Sequence, residues 1–448
     1  MSTGTKDVPN LASEASGDTK AGNYFVSNYP PFSFWKPEHN DDLQTALDSP
    51  PQDGNPLGFY VHVPFCRKRC HFCYFKVIVG ARAQEIREYI DATINELDMY
   101  KDRAFIGGRE PEFIYFGGGT PSFLSTSMLT ELTERLQERL SWNGAKEIAF
   151  EAEPGTLTEK KIHHIASLGV TRLSLGVENF DSHILEVNGR AHRAEEVERA
   201  YKTCRDAGFP QINIDLIAGM LDETEDNWKR NIEKTLELNP ESVTIYQMEI
   251  PFNTTIYKNM QAAGKLTAPV ADWDTKRRWV TEAFAELEKN GYRVGSAYTA
   301  VRADKEVDFL YRDLLWQGAD LLSIGVASFG HINGVHYQNN HKVEDYTALV
   351  NDGKLPIYRS LKPTGDEMLI REFILQLKLG HLELGDFDKK FGVNVRERFA
   401  APLQQIADWG FFEQNDDKAL RLTRPGLLEV DRLLHEFFLP EHRDVRYA

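Results

Sequence analysis

The sequence predicts an α/β fold, a partial barrel of six strand–helix units with a small helical domain of winged-helix type after it and an extended arm before it. Three observations carry this. From Gly58 to Gln247, short apolar runs alternate with longer amphipathic ones, the pattern of βαβ units on a parallel sheet. Right-handed crossovers wind such units into a barrel, although the pattern leaves an open two-faced sheet as an alternative. From about Thr364 the texture changes to helical runs around one short alternating segment.

Residues 1–22 are Ser, Thr, Gly, Asp and Lys with little apolar content and read as a disordered tail. An arm and connector follow over residues 23–55. In Asn23–Pro37, five Phe/Tyr and one Trp among fifteen residues are too apolar for a free linker, and Pro30, Pro31 and Pro37 exclude a regular helix. Asp41 to Asn55 reads as a polar connector. The barrel is expected over 56–363. Its strand candidates are Phe59–Val63, Phe113–Phe116, Glu147–Ala152, Arg172–Gly176, Ile212–Leu216 and Ser242–Gln247. Helical stretches lie between them: Ala83–Asp102, Ser127–Leu140, Thr158–Leu168, Ala194–Ala207 and Glu225–Leu238. A long helix over Asp272–Asn290 leads to strands at Tyr292–Ser296 and Leu321–Ser328. The last domain, 364–448, is expected to hold helices over Asp366–Leu379, Leu384–Phe391, Val395–Trp409 and Arg424–Phe438, with a ribbon at Ala419–Thr423.

The chain has 448 residues, 41% hydrophobic and 27% charged, enough for a core of ordinary size. A formal charge of −16 gives no general attraction for polyphosphate, so neither nucleic acid nor an anionic membrane is an expected partner. No apolar run reaches the roughly 18 residues that span a bilayer. Met1–Gly22 lacks the basic and apolar regions of a secretory signal. Of four cysteines, Cys66, Cys70 and Cys73 fall within eight residues and Cys204 stands alone. That is one clustered site rather than a disulfide framework, and it points to a reducing, cytoplasmic setting.

The cysteine loop follows the first strand through Pro64, at the end that carries the active site in parallel barrels. Three thiolates can hold three irons of a four-iron cluster and leave the fourth open to a non-protein ligand. Arg67, Lys68 and Arg69 are expected to lower the thiol pKa values and ease reduction. The competing readings are a zinc site, using Cys70, Cys73 and His62 or His71, and unpaired buried cysteines.

C-x-x-x-C-x-x-C after Tyr60-Val-His-Val-Pro-Phe65 resembles the radical S-adenosylmethionine (SAM) superfamily. The resemblance implies a [4Fe-4S] cluster on Cys66, Cys70 and Cys73, and SAM chelating the open iron. Reductive cleavage then yields a 5′-deoxyadenosyl radical, the electron coming from a donor such as flavodoxin or ferredoxin. It also implies a partial (β/α)6 barrel.

Further motifs fit a SAM site. Gly117-Gly118-Gly119-Thr120-Pro121 ends the second strand, where glycines let backbone groups approach a ligand; the bland reading is a tight βα turn. Glu151 and Glu153 end the third strand on one face and can accept from an ammonium group, or be a helix-capping pair. Glu178 ends the fourth strand, with Arg190 beyond it. Asp215, polar inside an apolar run, demands a partner.

GGGTPSFL, EAEPGTL, TRLSLGVENF, NIDLIAGM and LLSIGVASFG occur in the order of the oxygen-independent coproporphyrinogen III oxidase (HemN)-like family, and the resemblance covers roughly Asn23 to Pro440. It implies that Tyr60, Gly118, Gly119, Thr120, Glu151, Glu178, Arg190, Asp215 and Met248 line the SAM site. No catalytic residue is assigned. Two departures matter. The oxidases have an additional cysteine two residues after the third ligand, where this chain has Phe75. Their SAM-contacting Gln is Glu178 here. The haem-chaperone branch also lacks that cysteine; the stretch comparable to its haem-binding sequence is His336–Tyr346. The loop C-H-F-C-Y-F-K-V with the aromatic arm looks most similar to the class C methyltransferase and cyclopropanation branch, which binds two SAM molecules. The leading expectation is therefore transfer of a methyl or methylene carbon to an sp2 carbon of a small organic substrate. Coproporphyrinogen decarboxylation, haem handling and a non-catalytic interaction protein are the alternatives.

Overall fold

The computed structural model describes residues 25–251, 253–263, 270–307 and 309–443. The expected tail and the arm residues Asn23 and Tyr24 lie outside the described residues. Six parallel strands form the centre of the fold: β1 (Leu57–Val63), β2 (Phe113–Gly118), β3 (Glu147–Ala152), β4 (Arg172–Glu178), β5 (Gln211–Ala218) and β6 (Ser242–Gln247), adjacent in that order. Among the described residues one longer helix crosses between each successive pair: α1 (Ala83–Asp98), α2 (Thr126–Gln137), α3 (Glu159–Ser167), α4 (Ala194–Ala207), which a short helix over Ser182–Val187 precedes, and α5 (Glu225–Leu238). Ser125, Thr158 and Thr224 cap α2, α3 and α5 by accepting a backbone N–H, which fixes where each crossover begins. Gly208 in the left-handed region ends α4.

The sheet runs beyond the six predicted strands to twelve, in linear order, so the barrel stays open. On one edge Thr299–Arg302 adds antiparallel to β6, and Tyr292–Val294 adds antiparallel to Thr299–Arg302. On the other, Asp320–Ile324 pairs parallel with β1. The predicted strand Leu321–Ser328 ends early because the chain turns at Gly325 (φ +98°) and Ala327 (φ +58°). It then forms three antiparallel strands that the sequence reading did not anticipate, Phe329–Ile332, Val335–Asn339 and Ile357–Leu361.

The supposed connector Asp41–Asn55 is partly helical. Asn40–Leu47 forms a helix because Leu43, Ala46 and Leu47 share one face and are buried under this antiparallel extension. Asn333 holds its end by donating to the Ala46 and Ser49 carbonyls.

In the C-terminal part, helices starting with Gly365–Leu377 pack on a three-stranded ribbon formed by His381–Glu383, Phe412–Asn415 and Ala419–Leu422. The predicted helix Val395–Trp409 is broken into Val395–Arg398 and Ala400–Asp408. Phe399 leaves helical geometry to bury its ring against Phe373 and Phe437. Arg424–Phe438 is likewise split at Glu429. A separate hydrophobic cluster joins this part to Val26 and Tyr29 of the arm. It packs against the barrel side through Arg424–Glu288, Gln376 to the Trp316 carbonyl, and Ala297 N–H to the Lys378 carbonyl. The arm is stitched to both parts. Trp35 stacks on His336, and Lys378 donates to the Val26 carbonyl while pairing with Asp431.

Candidate active site

The cysteine loop leaves β1 at Pro64 and is held at several points. Phe65–Cys66 bridges Ile78–Val79, and the Ile78 N–H reaches the Pro64 carbonyl. The His71 N–H donates to Asn188 O at 2.9 Å, and its ring sits over Gly189, where a Cβ would collide with it. The three cysteines line one cavity of about 400 Å³ at the C-terminal ends of the strands. Cys66 Sγ stands 3.3 Å from Thr120 Oγ1, and Arg190 donates to Cys70 Sγ at 3.2 Å. The adjacent charges do not lower the thiols as expected. Burial pushes Cys66 up to about 11 and Cys73 to about 12, so these thiols would lose their protons only as metal binds. Arg67 is already engaged, pairing with Glu153 and donating to the Ala191 carbonyl.

Eight of the nine residues expected at the SAM site line this cavity: Gly118, Gly119, Thr120, Glu151, Glu178, Arg190, Asp215 and Met248. Tyr60 does not. It lies two residues before His62 along β1, bonded to that ring and packed beside Tyr115 and Tyr311. The glycines are sterically required. A Cβ on Gly118, at φ +115°, would strike the His62 ring, and one on Gly119 would strike the Pro64 carbonyl.

Glu151 accepts from Tyr115 Oη at 2.7 Å and from the Gly118 N–H at 3.1 Å. Burial raises its carboxyl to about 7, and burial does the same to Glu178, which sits in the left-handed region at φ +65° and faces Arg190 at 3.5 Å. Asp215 finds the partners its position demanded in Ser174 and Asn213, each at 2.8 Å, and it too is raised by burial. Glu153 behaves differently. Burial opposes its charge, but the His192 hydrogen bond and the charges of His192, Arg190 and Arg67 outweigh it and hold it at about 2. It caps the turn after β3 through the Gly155 N–H, the bland role considered for it.

Sequence reasoning missed several lining residues. Tyr115 was legible as the residue two before Gly117 on the same face of β2. Arg172, stacked on Phe309 with its guanidinium 4.3 Å from the ring centre, lies in the TRLSLGVENF segment but did not announce a place in the cavity by its spacing. Nor did Phe25 and Glu249, which meet across 224 residues at 2.8 Å. Tyr74, Phe75 and Tyr246 line the cavity while keeping 41%, 50% and 43% of their surface exposed, which makes an aromatic mouth.

The donor set fits a cluster with SAM. Three cysteines face one cavity, with carboxylates and an arginine around its wall. Two buried polar atoms of that wall, Arg190 Nε and Gln247 Oε1, have no hydrogen-bond partner among the described residues. A zinc ion is not similarly served. Among the described residues no three His, Cys, Asp or Glu side chains gather as ligands of a single ion, and His71 Nδ1 lies against the Val187 carbonyl.

Residues 60–235 match the radical SAM superfamily, and the chain therefore carries a radical SAM domain, whose cofactors are a [4Fe-4S] cluster and SAM. Within that superfamily the chain is HemN-like along most of its length. It is 26% identical over 390 residues to the oxygen-independent coproporphyrinogen III oxidase of Escherichia coli strain K12, covering 84% of each chain. It is 28% identical over 371 residues to the heme chaperone HemW of Bacillus subtilis strain 168, covering 82% of this chain and 96% of that one. The solved structure of E. coli coproporphyrinogen III oxidase, described as a radical SAM enzyme, superposes with a TM-score of 0.79 at 25% identity, covering 92% of this chain and 96% of the other. These relatives lend no support to the expected methyl or methylene transfer. Among the described residues no helix is long and apolar enough to cross a membrane.

Proposed function

We propose that this radical SAM enzyme acts on a carboxylate-bearing tetrapyrrole of the coproporphyrinogen class, removing a hydrogen atom from a propionate arm, which then loses carbon dioxide and passes one electron to an external one-electron acceptor as its carbon–carbon double bond forms. The observation that carries the reading is a single cavity that combines the cysteine loop, a wall of buried carboxylates with Arg190, and an aromatic mouth. When bound, the cluster supplies the electron that splits SAM into methionine and a hydrogen-abstracting 5′-deoxyadenosyl radical.

The residues divide the remaining work. Cys66, Cys70 and Cys73 hold the cluster. Glu151 accepts from the SAM ammonium, whose charge favours the ionised carboxylate that burial alone disfavours. Glu178 and Asp215 accept from hydroxyls and face the cationic ligand, and Arg190 answers its carboxylate. Gly118 and Gly119 let the backbone approach. Tyr74, Phe75, Tyr246 and Phe25 form an aromatic rim suited to a macrocycle and keep water from the reacting atoms. Exposed Lys68, beside them on the loop, offers charge to a propionate.

Phe75 favours a second reading, haem handling, because the haem-chaperone branch resembles this chain in lacking a cysteine there. His336 gives that reading no ligand: it is fully buried between Trp35 and His331. His341, half-buried beside Tyr358, is the more accessible of the two.

The test is anaerobic reconstitution with iron, sulfide, SAM and dithionite in the presence of coproporphyrinogen III. The expected products are 5′-deoxyadenosine and carbon dioxide without S-adenosylhomocysteine. S-adenosylhomocysteine with a labelled methyl carbon in the product would restore methyl transfer instead. Haem bound tightly with no turnover would favour the chaperone reading.

A further inference from the structure

The sulfurs that would carry the cluster have unequal hydrogen-bond partners. Arg190 Nη1 donates to Cys70 Sγ at 3.2 Å. Thr120 Oγ1 lies 3.3 Å from Cys66 Sγ, and since a metal-bound thiolate can only accept, the hydroxyl becomes the donor there. Among the described residues Cys73 has no side-chain donor and meets only the backbone N–H of Phe75. Arg190 is fixed in place. Its Nη2 donates to the Gly176 carbonyl at 2.5 Å and stands 3.5 Å from Glu178, and the guanidinium is almost wholly buried.

We propose that Arg190 and Thr120 set the reduction potential of the cluster through these bonds to Cys70 and Cys66, the charged bond from Arg190 having the larger effect. The inference rests on the assignment of the three cysteines as cluster ligands. Its physical basis is direct. Reduction adds negative charge to the cluster, so a donor aimed at a ligand sulfur stabilises the reduced form and raises the potential. A cationic donor does so more strongly than a neutral hydroxyl, and burial leaves its field weakly screened. This role is separate from holding SAM, because it operates on the enzyme before SAM binds.

The experiment is anaerobic potentiometry of the reconstituted full chain without SAM, followed by electron paramagnetic resonance of the reduced cluster, with iron content measured first. For Arg190→Met, the ratio of reduced to oxidised cluster at a fixed solution potential should fall at least tenfold, a shift of about 59 mV or more to the negative for one electron. Arg190→Lys should shift less, because it keeps the charge while losing the planar fork. Thr120→Val should shift in the same direction by less than Arg190→Met. Parental potentials in variants that retain four irons would overturn the inference while leaving the ligand assignment intact. If Arg190→Met does not retain iron, Arg190→Lys and Thr120→Val decide, and parental potentials in both overturn it. A parent chain that takes up no four-iron cluster would overturn the ligand assignment, and the inference with it, at the iron measurement.

Discussion

The cavity above β2 and β3 and the junction between α1 and the antiparallel extension each bury a glutamate whose carboxyl burial raises to about 7. At the junction, Glu96 takes Asn339 Nδ2 at 2.6 Å on one oxygen, and the Gly325 N–H at 2.8 Å and Tyr346 Oη at 2.5 Å on the other. It is fully buried and borders no cavity named above. In the cavity, Glu151 has one partner on each oxygen and shares its space with Glu178 and Asp215, whose charges oppose its own. Arg190 Nε and Gln247 Oε1, unpartnered among the described residues, lie in the same wall. A raised carboxyl is therefore not by itself the mark of a site. Glu96 ties three elements together, whereas Glu151 keeps hydrogen-bonding capacity facing empty space.

The largest expected effect breaks the cavity side of this comparison outright. Replacing Cys66, Cys70 or Cys73 with Ala should abolish 5′-deoxyadenosine formation and deplete iron. Cys204→Ala should do neither, because Cys204 is buried on α4 within the hydrophobic core. Iron near four per chain in the triple variant would remove the ligand assignment.

The next effect separates the two glutamates. Glu151→Gln should weaken SAM binding by about 1.5–3 kcal/mol, the scale of a hydrogen bond to a charged group, roughly ten- to a hundredfold in Kd, with little change in melting temperature. Glu96→Gln should do the reverse. Its amide would present a donor where Glu96 accepts from Asn339 or from Gly325 and Tyr346, costing about 1–3 kcal/mol of stability while SAM affinity stays put. Calorimetry and thermal unfolding of both variants check this, and matching profiles for the two would dissolve the distinction.

The same groups give a pH dependence of definite sign. A carboxyl raised from its unfolded value to about 7 contributes stability that is present below the unfolded value and lost as pH rises through 7. The advantage of the parent chain over Glu96→Gln should therefore shrink between pH 5 and 8. At the cavity, ionisation is what a cationic ligand needs, so SAM affinity should climb over the same interval. Its inflection belongs to Glu151 and Glu178 together, since both are raised to about 7. Affinity flat across that range would take both groups away from the ligand.

These residues also show what the sequence could reveal. The cysteine loop, the Gly117–Pro121 turn and the alternation of β1–β6 were legible because the chemistry and the period are local. The engagement of Arg67 depends on a contact with Glu153 across 86 residues, and charge counted along the loop misjudged the thiols because burial dominates them. Phe25 reaches Glu249 from the far end of the chain with no spacing to announce it. The antiparallel extension was hidden for another reason: its strands are short, and Phe329 keeps over a third of its surface exposed, so no clean apolar run marks them.

The smallest effect sharpens the comparison at one oxygen atom. The Tyr115 ring lies 4.4 Å from that of Tyr311 and 6.0 Å from that of Tyr60, so Tyr115→Phe preserves the packing and removes only the hydroxyl. That hydroxyl donates to Glu151 and favours its charged form, partly offsetting burial. Without it the Glu151 carboxyl should rise further, and the climb of SAM affinity should move to higher pH. Near neutrality the loss should be about 1 kcal/mol, roughly fivefold in Kd, and it should narrow at pH values above the new inflection. A uniform loss across all pH values would mean that the hydroxyl contacts the ligand itself. An unchanged inflection would mean that Glu151 does not govern the titration, which would pass to Glu178.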